Sequence, residues 1–152
     1  MRLNNLQLAD ESRIDLVIDN GIITSIESAT NSGDYDMDGL VALPGFVDLH
    51  THLREPGFEA SETVLTGSRA AASGGYTAVF AMANTQPVAD NAGVVTQVYE
   101  LGRKAGLVEV RPVGAITKNL DGQELAALGG MASSKAKVNL FSDDGHCVSD
   151  AA

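Results

Sequence analysis

Apolar and polar positions alternate from Ile14 to Ile18 and again from Ile22 to Ile26, the period-two pattern of half-buried strands. Asp19-Asn20-Gly21 lies between them, and Asn-Gly is the strongest short-range hairpin signal. The pattern predicts a small antiparallel β element over residues 1–41, closing in the polar, glycine-containing stretch 28–39. From Leu43 the pattern changes, and the run to His50 reads as a buried strand. Residues 61–73 are alanine-rich, begin beside an N-cap candidate and stop at Gly74-Gly75, which predicts a helix. Residues 76–82 read as a second apolar strand, 91–104 as a second helix closed by Gly106, and 107–116 as a third strand. A weaker helical pattern over 122–131 and a fourth strand over 137–141 follow. Apolar strands alternating with helices, at a spacing of about 30 residues, predict a parallel sheet in an α/β fold. Residues 1–42 are then part of a small β domain and 43–152 four β/α units. A (β/α)8 barrel of the TIM type takes about 250 residues, so the pattern fits half of one or a complete small open sheet.

Composition narrows the function classes. Hydrophobic residues make up 44% of the 152, near the ~45–50% of ordinary globular chains, so the whole can form a packed core. Acidic residues outnumber basic ones 20 to 10, and the net charge of -10 repels phosphate backbones, which argues against nucleic acid as a partner. No apolar run approaches the ~18 residues of a membrane span, and residues 1–13 lack the apolar core of a secretory signal. A single cysteine, Cys147, excludes a disulfide framework within the chain, and the expected compartment is the cytoplasm.

The strongest chemical signal is His50-Thr51-His52-Leu53-Arg54, directly after a predicted strand. Residues two apart on an extended chain share a face, so His50, His52 and Arg54 should project together from the strand's C-terminal end. In parallel α/β folds that end carries the site. Two imidazoles in this relation suit a zinc ion, and the planar guanidinium of Arg54 suits a carboxylate, either of a substrate or of Glu55 or Glu59. Asn84, at the end of the second strand, offers an amide at the same level, or simply a turn ahead of Pro87. Asp143-Asp144-Gly145, after the fourth strand, is either a routine turn or a carboxylate brought to the same mouth, with one aspartate facing the site and the other away. His146-Cys147 makes a poor nucleophilic pair because adjacent residues of an extended chain point apart. Asp34 to Gly39 imitates the start of an EF-hand loop, but its twelfth position is Gly45 rather than glutamate. No glycine pattern of a nucleotide-binding loop is present.

Three blocks in order carry a resemblance: Pro44-Gly45-Phe46-Val47-Asp48-Leu49-His50-Thr51-His52-Leu53-Arg54-Glu55-Pro56-Gly57; Gly74-Gly75-Tyr76-Thr77 with Met82-Ala83-Asn84-Thr85-Gln86-Pro87; and Phe141-Ser142-Asp143-Asp144-Gly145. The sequence resembles the dihydroorotases of the amidohydrolase superfamily, in the bacterial type whose bridging metal ligand is aspartate. Ala83 departs from the proline many relatives carry before the asparagine. The resemblance implies the N-terminal half of a (β/α)8 barrel preceded by part of a small β-sandwich. It implies a zinc-dependent cyclic amide hydrolase, with two zinc ions per full-length subunit, that interconverts dihydroorotate and N-carbamoyl-aspartate in pyrimidine synthesis. By motif position His50, His52 and Asp144 become metal ligands, Arg54 and Asn84 hold the substrate carboxylate, and His52 and Leu53 lie beside the substrate. Lys135 and Lys137 sit at the wrong end of the sheet to serve as a carboxylated-lysine ligand.

The family's remaining metal ligands and its acid/base aspartate come from later strands, so they are expected downstream of Ala152. The chain is therefore expected to be an N-terminal fragment, inactive alone. The resemblance leaves room for a homodimer and for association with aspartate transcarbamoylase. Two other readings share the residues: a hydantoinase or allantoinase, against which Arg54 and Asn84 argue, and a non-catalytic partner of aspartate transcarbamoylase, against which the intact ligand set argues.

Overall fold

The computed structural model describes residues 1–30 and 32–150. The chain divides into two compact units, Met1–Pro44 and Gly45 onward.

The first unit is a four-stranded sheet of β1 (Arg2–Gln7), β2 (Arg13–Asp19), β3 (Ile22–Ser28) and β4 (Tyr35–Asp36), in the order β3-β2-β1-β4. The β2–β3 hairpin turns at Asn20-Gly21, both with positive φ (49° and 78°), as its turn chemistry requires. The sheet is not wholly antiparallel as predicted, because β4, within the polar stretch, returns to pair parallel with β1. Leu3 pairs with Leu16 and Leu6 with Ile14, which leaves an extra residue in β1. Asn5 takes up that bulge with φ 62°, a conformation asparagine tolerates better than most residues. Its freed N–H donates to Asp15 Oδ1 at 3.0 Å.

The second unit holds a three-stranded parallel sheet, β5 (Phe46–Thr51), β6 (Tyr76–Ala81) and β7 (Glu109–Pro112), connected by α1 (Val64–Ser73) and α2 (Ala92–Ala105). Leu53, Val64, Val79, Ala81, Val98 and Val110 form one core cluster between the sheet and these helices. A second cluster centres on Val95, Ala115 and Met131. Gly102 of α2 sits so close to β7 that a Cβ there would lie 2.4 Å from that of Val110. The helix thus approaches the sheet at a glycine.

Helix α2 begins and ends as predicted: Asn91 accepts from the N–H groups of Gly93 and Val94, and Gly106 closes it with φ 64°. Helix α1 starts three residues later than expected, with Thr63 as its cap in a reciprocal pair with Thr66. Ser61 and Glu62 instead turn back onto the carbonyl of Phe58. Glu55 Oε2 accepts the N–H of Val64 at 2.8 Å, placing a carboxylate at the positive end of α1.

Three expectations are corrected. Strand β5 is an edge strand rather than a buried one, so Phe46, Val47 and Leu49 remain exposed. The helix expected over 122–131 forms instead as α3 (Leu128–Ser133), after a 3₁₀ turn at Lys118–Leu120. The expected fourth strand is reduced to one parallel bridge, Gly114 to Phe141. There the N–H of Gly114 donates to Leu140 O and the N–H of Ser142 donates to Gly114 O. The ladder goes no further on either side: Lys137 leaves the extended region with φ 50°, and beyond the bridge the N–H groups of Ile116 and Asp144 donate to Asp143 Oδ1 and Ser142 Oγ. No helix among the described residues is long and apolar enough to cross a membrane.

Candidate metal centre

The site is built at the C-terminal end of the parallel sheet. Asp48 pairs with Val79 but Thr51 with Ala81, so β5 carries an extra residue between them. This bulge bears His50, and its backbone N–H donates to Asp48 Oδ1 at 3.0 Å. Asp48 thus supports the bulge backbone rather than an imidazole. Strict alternation along the strand is lost at this point, yet the rings of His50 and His52 still meet edge to face, with centroids 5.1 Å apart at 66°. His50 is largely exposed, with 57% of its side chain open to solvent, whereas His52 is half-buried.

Asp144 joins them from the loop after the Gly114–Phe141 bridge. His50 Nε2 lies 2.9 Å from Asp144 Oδ1. The Nδ2 amide of Asn84 donates to Asp144 Oδ2 at 2.9 Å. With its amide nitrogen so committed, Asn84 turns its Oδ1 to His52 Nδ1, 3.0 Å away. His52 therefore donates from Nδ1, and among the described residues its Nε2 has no hydrogen-bond partner. Three polar contacts link His50, Asp144, Asn84 and His52 in sequence, the edge-to-face contact of the two imidazoles closes the circuit, and both ends of the Asn84 amide are engaged within it.

Ligand atoms of His50, His52 and Asp144 lie within 4.8 Å of one another, close enough to bind one ion. Two imidazoles and a carboxylate are donors that zinc accepts. The donor set and its spacing therefore fit a metal ion.

The two adjacent aspartates separate cleanly. Asp144, with φ 56° and its N–H bonded to Ser142 Oγ at 3.0 Å, turns its carboxylate into the site. Asp143 is buried and accepts from the N–H groups of Ile116 (2.7 Å) and Thr117 (3.0 Å) and from the Thr117 hydroxyl (2.5 Å). Sequence reasoning saw that the pair would divide. The partners of Asp143 lie 26 and 27 residues away and left no local signal.

Arg54 follows the strand in a left-handed conformation, φ 61°, and is half-buried. Glu55 and Glu59 spend their carboxylates on the backbone N–H groups of Val64 and Gly57, and among the described residues no carboxylate pairs with Arg54. Leu53 is buried in the core beside α1. His146 and Cys147 are exposed. Lys135 pairs with Glu100 of α2, away from the site.

Solved structures share this architecture. The L-hydantoinase (dihydropyrimidinase) of Arthrobacter aurescens matches 78% of the chain with a TM-score of 0.63 at 21% identity, and the chain spans 28% of it. The dihydropyrimidinase of Brevibacillus agri matches 76% with a TM-score of 0.55 at 23% identity, and the chain spans 27% of it. At such identities the likeness concerns the fold alone: an α/β chain holding part of a TIM-type barrel.

Sequence comparison is sharper. The family described as Dihydro-orotase-like matches residues 39–152, and the chain belongs to it. Proteins named dihydroorotase from Leifsonia xyli and Streptomyces coelicolor are 62% and 59% identical over 97% and 90% of the chain. One from Mycobacterium tuberculosis is 54% identical over 91%. The chain spans about a third of the length of these curated relatives (34%, 33% and 33%).

Proposed function

We propose that the full-length protein is a zinc-dependent dihydroorotase, interconverting (S)-dihydroorotate and water with N-carbamoyl-L-aspartate in pyrimidine (UMP) synthesis in the cytoplasm. The observation that carries this reading is the convergence of His50, His52 and Asp144 at the sheet's C-terminal end, in a chain of this family. Residues 43–152 supply the opening β/α units of the barrel, and the remaining ligands and the acid/base aspartate come from the rest of the protein.

His50, His52 and Asp144 hold the metal. When bound, zinc polarises an amide carbonyl and brings the pKa of water to about 7. Asn84 fixes the orientation of the His52 ring through Nδ1, which would leave Nε2 as the atom to hold the metal. Arg54 binds the substrate carboxylate through its guanidinium, which among the described residues has no carboxylate of its own. Asn84 moves its amide nitrogen from Asp144 to that carboxylate when substrate and metal are in place, and His52 lies beside the ring, whereas Leu53, whose side chain is in the core against α1, meets it through its backbone. A fixed guanidinium and amide hold the cyclic amide in one pose, and such positioning lowers a barrier by up to ~7–11 kcal/mol in favourable cases.

Steady-state kinetics on the full-length protein test this reading. Dihydroorotate turnover is expected, with Arg54→Ala losing it while hydantoin hydrolysis stays absent. The 152-residue chain alone is expected to turn over nothing. Undiminished dihydroorotate turnover in Arg54→Ala would remove Arg54 from substrate recognition and favour a hydantoinase-like substrate.

A further inference from the structure

Next to Asp144 stands a carboxylate that touches none of the site's residues and is nevertheless tied down from three directions. Asp143 is 3% exposed and Thr117 fully buried. Asp143 Oδ1 accepts from the backbone N–H groups of Ile116 and Thr117, and Oδ2 accepts from the Thr117 hydroxyl. That hydroxyl in turn accepts from the N–H of Gly122 at 2.9 Å. The loop so gripped is closed on itself: Thr117 bridges to Leu125, and the N–H of Ala126 donates to Ile116 O. On the other side, the N–H of His146 donates to Asp143 O at 3.0 Å, making a turn around Asp144.

This arrangement has a mechanical consequence. The segment that carries Asp144 has no regular strand beneath it, only the single Gly114–Phe141 bridge. A ladder of rungs would normally fix such a residue in place, and here the N–H groups of Ile116 and Asp144, which would form the next rungs, donate to Asp143 Oδ1 and Ser142 Oγ instead. Three hydrogen bonds to one buried carboxylate replace the missing rungs one residue from the ligand.

We propose that Asp143 and Thr117 form a positioning latch that sets the carboxylate of Asp144 against His50 and so determines how tightly the centre holds its metal. The proposal rests on the reading of His50, His52 and Asp144 as metal ligands. Groups that position a ligand typically change metal affinity ~10–100-fold when lost, and the latch belongs to this class although it acts through the backbone.

Zinc affinity of the full-length protein, measured by competition with a chromogenic chelator, and the visible spectrum of its cobalt-substituted form test the latch. Asp143→Asn is expected to weaken zinc about 10–100-fold and to alter the cobalt spectrum, with His50, His52 and Asp144 all intact. Thr117→Val is expected to weaken zinc in the same direction, and Thr117→Ser, which restores the hydroxyl, to recover it. If Asp143→Asn does not fold, the Thr117 pair decides alone. Wild-type zinc affinity and cobalt spectrum in folded Asp143→Asn or in Thr117→Val, even with a lowered Tm, would overturn the latch and leave the pair a structural role. A wild-type protein that binds no zinc would overturn the ligand reading and the latch together, so the two failures are distinct.

Discussion

In the N-terminal unit the side chain buried most completely is a carboxylate, Asp15, whereas the unit from Gly45 onward buries Met131, Val95 and Val113 to the same degree. Among the described residues Leu6 is the one buried hydrophobic side chain of the first unit, while Ile22, Ile23 and Ile26 of β3 stay exposed. Its sheet is organised around Asp15, which accepts from Arg2, from Thr30 and from the freed N–H of the Asn5 bulge. The second unit reverses this arrangement. Two apolar clusters hold the helices on the sheet, and its buried carboxylate, Asp143, organises a loop beside the site. A sheet organised by one charge depends on pH. A sheet organised by apolar packing leaves its polar groups available for chemistry.

The largest effect should separate the two means of support. Met131→Ala removes a fully buried side chain from the second unit and should cost about 2–5 kcal/mol in denaturant unfolding of the 152-residue chain. Ile26→Ala, on the exposed face of β3, should stay within about 0.5 kcal/mol. Equal losses at the two positions would erase the contrast.

A smaller effect should appear in acid. The Thr30 hydroxyl, and after it the Arg2 guanidinium and backbone N–H groups, outweigh the cost of burial and hold the Asp15 carboxyl well below its ordinary 3.8. A carboxyl whose native pKa is depressed stabilises the fold fully above its unfolded value, and the contribution is lost as pH falls through the native one. The amide signals of Asn5 and Thr30 should therefore survive titration through the ordinary carboxylate range and disappear only in stronger acid. Asp15→Asn should lose this dependence on pH. Loss of both signals near pH 4 in the wild type would show that Asp15 does not organise the sheet.

Much of this architecture is legible in the sequence, for local reasons. The Asn20-Gly21 turn, the Asn91 cap and the Gly106 stop each depend on a conformation that few residue types adopt easily. The convergence of His50, His52, Asn84 and Asp144 follows from strand ends in a parallel sheet, and the structure brings them together. What the sequence hides is long-range. The fourth strand has an apolar pattern over 137–141, but Lys137 takes a left-handed conformation and the N–H of Ile116, which would extend the ladder, is taken by Asp143. The bulge at His50 breaks the alternation that motivated placing the histidines on one face, and only the register against β6 reveals it. The difference between Asp143 and Asp144 rests on partners in the 116–117 loop, and on no feature of the Asp-Asp pair itself.

The central claim is that His50, His52 and Asp144 are metal ligands. Zinc titration of the full-length protein, comparing wild type with Asp144→Ala, tests it most directly. The account predicts tight zinc binding in the wild type and, in Asp144→Ala, a loss larger than the ~10–100-fold that removal of an outer partner causes. Zinc bound equally well without the Asp144 carboxylate would contradict it.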